Sequence, residues 1–453
     1  MRRNGWMRAI ASGALAAAML TFVQADAQTA PGQTKKFKTT VDYVSHFYPL
    51  WFTYYQSSLL STTNRLAGPV RVTPLYQIVV AINVDTYYAS AFLDTTNQPA
   101  MLTIPATTVS YSILTLDPYG NTLDVGLPKA QGVYALTGPN YTGKIPKAAT
   151  RIDMPYNHMV HIFRADKYAS TGESEKKEAE LFRRSLQLQT LKDWRKDKTG
   201  GKTAILPELF FAPPFKTAAD TLATRKPLDF LAQLQAAVLS PNTPPLSAKE
   251  QKLSDTFNAL FAEGGDMFEF ASGTQAAHQL IVDDYLTHTD KNNWINFTNM
   301  GTWKPGQFLD RAAISEFIQY GNNHSTAAYY QAFKDRHGAA LDGSNGAVYV
   351  LHISKKEIPA AERFWSFTAY TPESIELIRN SAKKYNVASY TPGLVYGDDG
   401  SLTLWFSKVK PSEAPEANWL PVSSGRFNIM LRVYGPEGTV AKGTYVPPPI
   451  VKQ

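Results

Sequence analysis

Short apolar runs, separated by turn residues, occupy two stretches of the chain. In the first stretch, between positions 74 and 164, apolar runs at 77–82, 90–93, 100–104 and 111–116 are bounded by Asn, Pro and Gly. Several such runs at regular spacing, many of them rich in β-branched residues, predict the strands of a sandwich or barrel. The stretch from 364 to 451 has the same texture and predicts a second sheet domain.

Apolar positions at helical spacing predict helices before and between these two stretches. The N-terminal helix is expected over 41–60, where Pro49 marks either a kink or the true start. Another helix is expected over 173–194, with Leu181, Leu188 and Leu191 facing inward. Further helical segments are expected at 227–239, 247–261, 275–288 and, for the most part, 309–335.

Together these patterns predict an α+β fold with β-sandwich or jelly-roll-like domains, a helical insertion and an N-terminal helix. The predicted parts after a signal segment are a flexible leader at 28–40, the N-terminal helix with a β-rich domain at 41–165, a mainly helical region at 166–335 and a C-terminal jelly-roll-like domain at 336–453.

The first 27 residues have the pattern of a secretory signal peptide. Arg2, Arg3 and Arg8 precede an apolar, alanine-rich run at 9–23, and the sequence Ala-Asp-Ala at 25–27 matches a cleavage site. The alternative is an uncleaved N-terminal anchor. No later stretch has the ~20 apolar residues that a membrane span needs. We therefore expect a periplasmic or secreted protein without an integral membrane segment once the signal is removed.

Composition excludes several classes of chemistry. The chain has no cysteine, which rules out thiol catalysis, iron–sulfur clusters and cysteine-ligated zinc. The formal net charge of +7 is modest for 453 residues, and no basic run with interleaved aromatics predicts a nucleic-acid partner. The motifs of serine esterases, zinc proteases, NTPases and dinucleotide-binding enzymes are absent from the sequence. A pair of catalytic carboxylates needs no motif and stays open.

Motifs in both halves of the chain resemble a known bacterial pair of domains. The first half carries Asn-Val-Asp-Thr-Tyr-Tyr at 83–88, followed by Asp94, Asp117, Asn121, the run 132–139, Asn157 and Arg164. The second half carries the motifs at 341–344, 364–370, 391–394, 399–403, 418–421 and 427–434. In this order they resemble the proteins in which domain of unknown function twelve-fifty-four is followed by domain of unknown function twelve-fourteen. The resemblance covers most of the chain and implies no established reaction.

One departure from that family pattern concerns two neighbouring positions. The family usually has Asp and Arg where this chain has Ser389 and Tyr390. If the family's ion pair is functional, this chain has lost or altered that function. If the ion pair is structural, hydrogen bonding between Ser389 and Tyr390 has replaced it.

The motif at 83–88 is the first candidate site. On a strand, Asn83, Asp85 and Tyr87 would point to one face and place a carboxylate between an amide and a phenol. Asp85 is then the candidate catalytic acid/base, and Asn83 and Tyr87 are candidate substrate-binding residues. The alternative is structural, with Asn83 and Asp85 capping a turn and the tyrosines in the core.

Arg164 and Asp117 complete the substrate-binding candidates. Arg164 ends the apolar run 159–163, and a buried guanidinium predicts a carboxylate partner, for which Asp85, Asp94 and Asp117 are available. Otherwise Arg164 binds an anionic group of the substrate.

Histidines give weaker indications of chemistry. His158 and His161 would lie on opposite faces of a strand, which argues against joint metal coordination. Asp284 and His288 are spaced as a helical pair, and His278 would lie on a different face from Asp284. We therefore expect no metal and no cofactor.

Two functions of different classes follow. The first is an exported enzyme that acts on a polar small molecule or glycan through carboxylate acid/base chemistry. The alternative is a non-catalytic periplasmic protein that binds a ligand or interacts with the cell envelope.

Overall fold

The computed structural model of the chain describes residues 34–59, 63–208, 213–265 and 267–453. The predicted signal segment 1–27 and the leader up to position 33 lie outside these residues. Within them, no helix is long and apolar enough to cross a membrane. Helices and mixed or antiparallel sheets both occur, which confirms the α+β prediction. The jelly-roll-like arrangement stays a prediction.

Two sheets form the first domain. One has the strand order β4-β7-β2-β1-β9 and the other the order β6-β5-β3-β8. Apolar residues between the two sheets, among them Leu93, Leu102 and Phe163, form the core of this domain. The strands are β1 Ala67–Pro69, β2 Thr86–Asp94, β3 Ala100–Ile104, β4 Tyr111–Leu116, β5 Gly132–Thr137, β6 Thr150–Asp153, β7 His158–Asp166, β8 Gln187–Thr190 and β9 Ala204–Leu206.

Helices α1 and α4–α8 pack together in one apolar core with residues of both sheet domains, whereas α2 packs into the core of the first domain. Ser247 and Glu250 form a capping box that fixes the start of α6, and Pro227 occupies the first turn of α5. The helices up to this point are α1 Lys35–Leu59, α2 Lys176–Ser185, α3 Leu191–Lys196, α4 Phe215–Arg225, α5 Pro227–Val238, α6 Ala248–Ala262, α7 Phe268–Thr287 and α8 Phe308–Phe317.

The C-terminal domain also has two sheets, ordered β10-β11-β17-β13-β14 and β16-β15-β12-β18. Their shared core includes Leu351, Phe367, Leu404 and Leu431. The elements are β10 Trp294–Ile295, β11 Ala327–Ala332, β12 Tyr349–Ile353, β13 Ala361–Tyr370, β14 Asn386–Ala388, β15 Leu402–Ser407, β16 Trp419–Pro421, β17 Asn428–Pro436, α9 Gly438–Ala441 and β18 Val451–Lys452.

The N-terminal helix begins earlier than predicted. Helix α1 starts at Lys35, because the Thr34 hydroxyl accepts a hydrogen bond from the Phe37 amide at 3.2 Å and caps the first turn. Residues 35–40 are therefore helical and do not belong to a flexible leader. Pro49 lies inside the helix and does not start it.

The single helix predicted over 173–194 is wrong. Helix α2 ends at Ser185, strand β8 pairs with β3, and α3 then begins with Thr190 as its cap. Leu188 and Leu191 are buried as predicted, but Leu181 is 66% exposed. Pairing with the edge of an existing sheet outweighs the helical pattern of this segment.

Two further element predictions are corrected. Only 308–317 of the stretch predicted as mostly helical at 309–335 is an α-helix, and Ala327–Ala332 forms β11. The apolar run 77–82 is buried but forms no strand, and Ala81 has a φ of +52°. Strands β8, β9 and β11 all lie within the region 166–335 that was predicted to be mainly helical, and they pair with strands of the domains on either side of it.

Candidate functional site

A cavity of about 80 Å³ lies where the first domain meets the C-terminal domain. This volume exceeds the roughly 10–15 Å³ that one water molecule requires. Strands β1, β2 and β7 form one wall, the irregular segment 76–83 a second, and β11 and β17 a third. Its polar side chains are Gln56, Tyr76, Asn83, Tyr88, Ser90, Arg164, Tyr320, Tyr329, Arg432 and Tyr434.

The pairing of β2 with β7 positions the first guanidinium. Tyr88 lies opposite Arg164 in this antiparallel pair, so both side chains project from the same face. The neighbouring Phe163 faces the core of the first domain, whereas Ile162 and Arg164 line the cavity. The Arg164 guanidinium lies 5.6 Å from the centre of the Tyr88 ring.

Strand β17 supplies a second guanidinium from the other domain. Arg432 lies opposite Tyr329 of β11, and both line the cavity together with Tyr434, two residues further along β17. The intervening Val433 points into the core of the C-terminal domain. Arg432 is 1% exposed, and its guanidinium lies 5.4 Å from the centre of the Tyr370 ring.

Neither arginine has a carboxylate partner in the part of the chain that the structure describes. Arg164 donates to Asn322 Oδ1 at 3.0 Å and to the Tyr320 carbonyl at 3.2 Å, and Arg432 donates to the Ala81 carbonyl at 2.5 Å. Arg164 Nε and Arg432 Nη1 are buried without a hydrogen-bond partner among these residues. The predicted ion pair of Arg164 with Asp85, Asp94 or Asp117 is therefore wrong.

Four tyrosines of the cavity carry neutral hydroxyls. Burial raises the pKa of Tyr76, Tyr88, Tyr320 and Tyr434 above the usual range. None of the described lining residues is Asp or Glu. The cavity therefore combines two positive charges with neutral phenols and an apolar wall that includes Val80, Ile82, Phe92, Val160 and Ile162.

Asp85 lies beside the cavity wall but does not line the cavity. Its carboxylate accepts hydrogen bonds from Ser366 Oγ at 2.8 Å, Asn386 Nδ2 at 2.6 Å and the Tyr390 hydroxyl at 2.5 Å. All three donors belong to the C-terminal domain. Asp85 is 1% exposed, so these donors, and not bulk water, satisfy its carboxylate oxygens.

The altered family position 390 therefore has a direct contact with the candidate acid/base. Tyr390 donates to Asp85, whereas the Ser389 hydroxyl accepts from the Trp365 amide at 3.4 Å. Among the described residues, Ser389 and Tyr390 therefore bond to Trp365 and Asp85 and not to each other.

The segment 78–83 is held by side chains of the C-terminal domain and by Gln319, which follows helix α8. Tyr370 donates to the Ile82 carbonyl at 2.6 Å, and Asn83 Nδ2 donates to the Tyr434 hydroxyl at 2.8 Å. The Val80 amide donates to Gln319 Oε1 at 3.1 Å. These contacts replace the strand pairing that the apolar sequence of this segment predicts, because they satisfy buried backbone groups.

The structure separates the predicted binding residues. Asn83 and Arg164 line the cavity, and Asn83 Oδ1 also accepts from the Asp85 amide, the turn-type contact of the structural alternative. Tyr87 faces away, toward Arg183, because β2 begins at Thr86 and the predicted alternation does not reach Asn83 and Asp85. Tyr88 is the tyrosine of the motif that lines the cavity.

Asp117 also lies outside the cavity. Its carboxylate accepts from the Tyr119 amide at 2.9 Å and from the Asn121 amide at 3.0 Å, and it closes the turn after β4. The Asn121 side chain donates to it at 2.7 Å. The structure therefore gives Asp117 a local role in that turn.

Sequence reasoning missed Arg432 as a site residue. It stands alone in the apolar run 427–434, as Arg164 does at the end of 159–163. The same argument about a buried guanidinium would have selected it. That the two arginines share one cavity depends on how the two domains pack, which neither run encodes.

A second group of ionisable side chains joins four helices. Lys216 Nζ of α4 lies 3.0 Å from both carboxylate oxygens of Asp220 and 2.5 Å from Glu316 Oε1 of α8. His278 Nε2 of α7 lies 3.2 Å from Asp220 Oδ1. The Tyr48 hydroxyl of α1 donates to Glu316 Oε2 at 2.5 Å. We call these five residues the ion cluster.

The positive and negative side chains of the ion cluster compensate one another's charge. Burial alone would raise the pKa of Glu316, but Lys216 and His278 outweigh it and hold that pKa well below its usual range. Burial would lower the pKa of His278, but Asp220 and Glu316 outweigh it and raise that pKa to about 9. Asp220, His278 and Glu316 are close enough to share a metal ion, but the Lys216 ammonium already bridges the two carboxylates. This arrangement is that of a buried ion network.

The pH dependence of stability tests this description. A group whose pKa is raised by folding stabilises the protein fully below its unfolded pKa, about 6.5 for histidine, and loses that effect as the pH rises through its folded pKa. The stability advantage of the wild type over His278→Gln should therefore fall by about 1 kcal/mol per pH unit between pH 7 and 9. Urea unfolding of both proteins at several pH values measures it.

The comparison of the two proteins cancels the titrations of groups that do not contact His278. One such group is Lys167, whose pKa is lowered by burial to about 8. A stability difference that does not change between pH 7 and 9 would contradict an ionised His278 in the cluster.

Comparisons with known proteins agree with the two-domain organisation. The profile described as "Protein of unknown function (DUF1254)" matches residues 63–190, and that described as "Protein of unknown function (DUF1214)" matches residues 326–438. None of the curated proteins compared with the chain matches it.

Two solved structures resemble this one. The VPA0106 protein from Vibrio parahaemolyticus is 17% identical, with a TM-score of 0.58 over 92% of this chain and 100% of that chain. A putative uncharacterized protein from Burkholderia cenocepacia is 13% identical, with a TM-score of 0.43 over 92% of this chain and 94% of that chain. At such identity the first similarity is one of fold.

With its two matching profiles in the expected order, the chain belongs to the bacterial family in which DUF1254 is followed by DUF1214.

Proposed function

We propose that this protein binds a small organic anion with an apolar or aromatic body in the cavity between its two domains. The observation that carries the proposal is the pair of buried guanidiniums, Arg164 and Arg432, that line the cavity without a carboxylate partner in the described chain. A ligand carboxylate would supply the missing negative charge.

The charge argument rests on the cost of burial. An isolated ionised group in a protein interior costs several kcal/mol unless it is paired or hydrogen-bonded. Arg164 and Arg432 make no ion pair within the described residues: Arg164 bonds to carbonyl, amide and phenol groups, and Arg432 bonds to a carbonyl and feels Asp85 only at longer range. Each guanidinium also keeps a buried N–H without an acceptor. An anion in the cavity would accept from these groups, and charge-assisted hydrogen bonds of this kind are the strong ones.

The residues that line the rest of the cavity indicate the chemistry of the uncharged part of the ligand. The cavity wall is mostly aliphatic and aromatic, so it favours a hydrocarbon or aryl group next to the carboxylate. Its volume of about 80 Å³ suits one small molecule and not a glycan chain.

Binding without turnover is favoured over catalysis by Asp85. Three side chains of the C-terminal domain already donate to its carboxylate, and Asp85 does not line the cavity. A general base must reach the proton that it removes. The acid/base role of Asp85 stays a prediction, and so does export, which we propose on the pattern of residues 1–27 alone.

The test compares matched acids and amides. We expect benzoate or hexanoate to raise the melting temperature, and benzamide or hexanamide to have little effect, because only the acids carry the charge. In Arg164→Met the affinity for the acids should fall by about 10- to 100-fold, the loss of one charged hydrogen-bonding group. Thermal shift and isothermal titration calorimetry measure both effects.

Arg184→Met is the control for the change in net charge. Arg184 is half-exposed on α2 and pairs with Glu180 at 2.6 Å, away from the cavity. Arg184→Met should leave the affinity for benzoate and hexanoate unchanged. Equal effects of acids and amides, or full affinity in Arg164→Met, would overturn the proposal.

A further inference from the structure

A second recess, an open groove of about 610 Å³, lies between the first domain and the helices. Five parts of the chain line it: helix α1, the turn after β4, Tyr156 between β6 and β7, the start of α6, and the loop 301–307 with the first turn of α8. The loop packs closely on the first domain at Gly301, where φ is +77° and a Cβ atom would lie 2.5 Å from Thr122 Oγ1.

The carboxylates of the groove are already satisfied. Asp117 accepts from the backbone of its own turn. Glu250 Oε1 lies 3.2 Å from His46 Nε2, and Glu250 Oε2 accepts from the Ser247 amide at 2.8 Å. These acids therefore have little capacity left for donors of a ligand.

Donors, in contrast, remain free along the groove. Trp303 Nε1 and Arg311 Nε are buried and have no hydrogen-bond partner within the described residues. Arg311 donates through Nη2 to the His46 carbonyl at 3.1 Å. Asp117 and Glu250 act on its charge at longer range without forming an ion pair, and its guanidinium lies 4.8 Å from the centre of the Tyr119 ring. Lys249 and Lys304 add exposed positive charge at the rim. The groove therefore favours a ligand rich in acceptors and negatively charged.

Aromatic side chains line the same groove. Trp303, Tyr156 and Phe308 are half-buried, and the Phe308 ring packs 4.7 Å from the His46 ring. Aromatic faces beside polar groups suit the C–H faces and hydroxyls of sugar rings. The size and openness of the groove admit a saccharide, which the interdomain cavity does not.

We propose that this groove binds an acidic saccharide. Arg311 and the rim lysines Lys249 and Lys304 bind the sugar carboxylate, the Trp303 indole N–H donates to a ring or hydroxyl oxygen, and the aromatic faces contact the ring. This site is separate from the interdomain cavity and does not depend on what the cavity binds.

Calorimetric titration with digalacturonate tests the proposal, with the neutral disaccharide galactobiose and inorganic sulfate as comparisons. Digalacturonate should bind at least tenfold more tightly than either one. Trp303→Phe keeps the aromatic ring and removes the N–H, and it should weaken binding by about tenfold. Lys249→Ala, at an exposed position, should weaken digalacturonate binding about threefold. This variant tests the proposal even if Trp303→Phe does not fold.

Two controls separate this site from other effects. Lys252→Ala removes the same charge from α6 at an exposed position that does not line the groove, and Arg164→Met alters the cavity; both should bind digalacturonate normally. The proposal is overturned if digalacturonate does not bind the wild type, if galactobiose or sulfate binds as tightly, or if Trp303→Phe and Lys249→Ala both keep full affinity.

Discussion

Asp85→Ala is expected to lower the free energy of unfolding by about 4 kcal/mol. The substitution leaves three donors of the C-terminal domain, Ser366, Asn386 and Tyr390, buried without their acceptor. A hydrogen bond to a charged group contributes about 1.5–3 kcal/mol, and an unsatisfied buried donor costs about 1–3 kcal/mol. Some relaxation of the three donors keeps the total below the sum of these terms.

The loss of stability in Asp85→Ala should be concentrated at the interface between the two domains. Besides Asp85, this interface contains Asp166, which accepts from Arg363 Nε at 2.8 Å and from the second nitrogen of the same guanidinium. Hydrogen exchange in Asp85→Ala should therefore be faster in β14 and the adjoining part of β13 than in the first domain's core. Urea unfolding measures the total change in the free energy of unfolding, and hydrogen exchange shows which elements are destabilised.

Asp94→Ala is the matched control at the other end of β2. The Asp94 side chain is 36% exposed, accepts from the Thr96 amide at 2.9 Å and lies 3.7 Å from His158. Its removal should cost about 1 kcal/mol or less. If Asp85→Ala were as stable as Asp94→Ala, the carboxylate would have no structural role, and its role as an acid/base would become the leading hypothesis.

Lys216→Met is expected to lower the free energy of unfolding by about 3–5 kcal/mol at neutral pH. Glu316 is fully buried and Lys216 is 5% exposed. Removing one member of a buried ion pair leaves the other charge uncompensated, and this is the usual size of the loss. In this variant two carboxylates would face one imidazolium.

A second substitution separates charge from packing. Glu316→Gln removes the charge that Lys216→Met leaves unbalanced, so the double variant should be less destabilised than the sum of the single variants by at least about 1 kcal/mol. The four proteins are compared by chemical denaturation at one pH. Simple additivity of the two substitutions would mean that Lys216 contributes through the packing of its hydrocarbon chain, and the ion cluster would not be a coupled network.

Local signals in the sequence predicted many elements but not their partners. The capping box at Ser247 and the proline at 227 place α6 and α5 within one residue of the prediction. Residues 100–104 and 111–116 are strands as predicted, because their β-branched and apolar residues suit a half-buried sheet. These features act over a few residues, and their physical cause is visible in the sequence.

Segments that depend on distant contacts were predicted poorly. The run 77–82 has the composition of a buried strand, but Tyr370, Arg432 and Gln319 satisfy its backbone groups instead of a neighbouring strand. The segment 187–190 follows a helix and pairs with β3. In both cases tertiary contacts outweigh local propensity, which differs by only about 1 kcal/mol per residue.

The features of the candidate site also fall into two groups, those that the sequence identified and those that only the tertiary structure brought together. The sequence by itself determined the family, the α+β class and the importance of the motif at 83–88 and of Arg164, because each depends on the identity and order of residues. Only the tertiary structure decided that Arg164 and Arg432 face one cavity without a carboxylate, that Asp85 binds three donors 281 or more residues away, and that His278 joins Lys216 and Glu316. Which charges end up as neighbours is set by the packing of whole domains, and no short stretch of sequence carries that information.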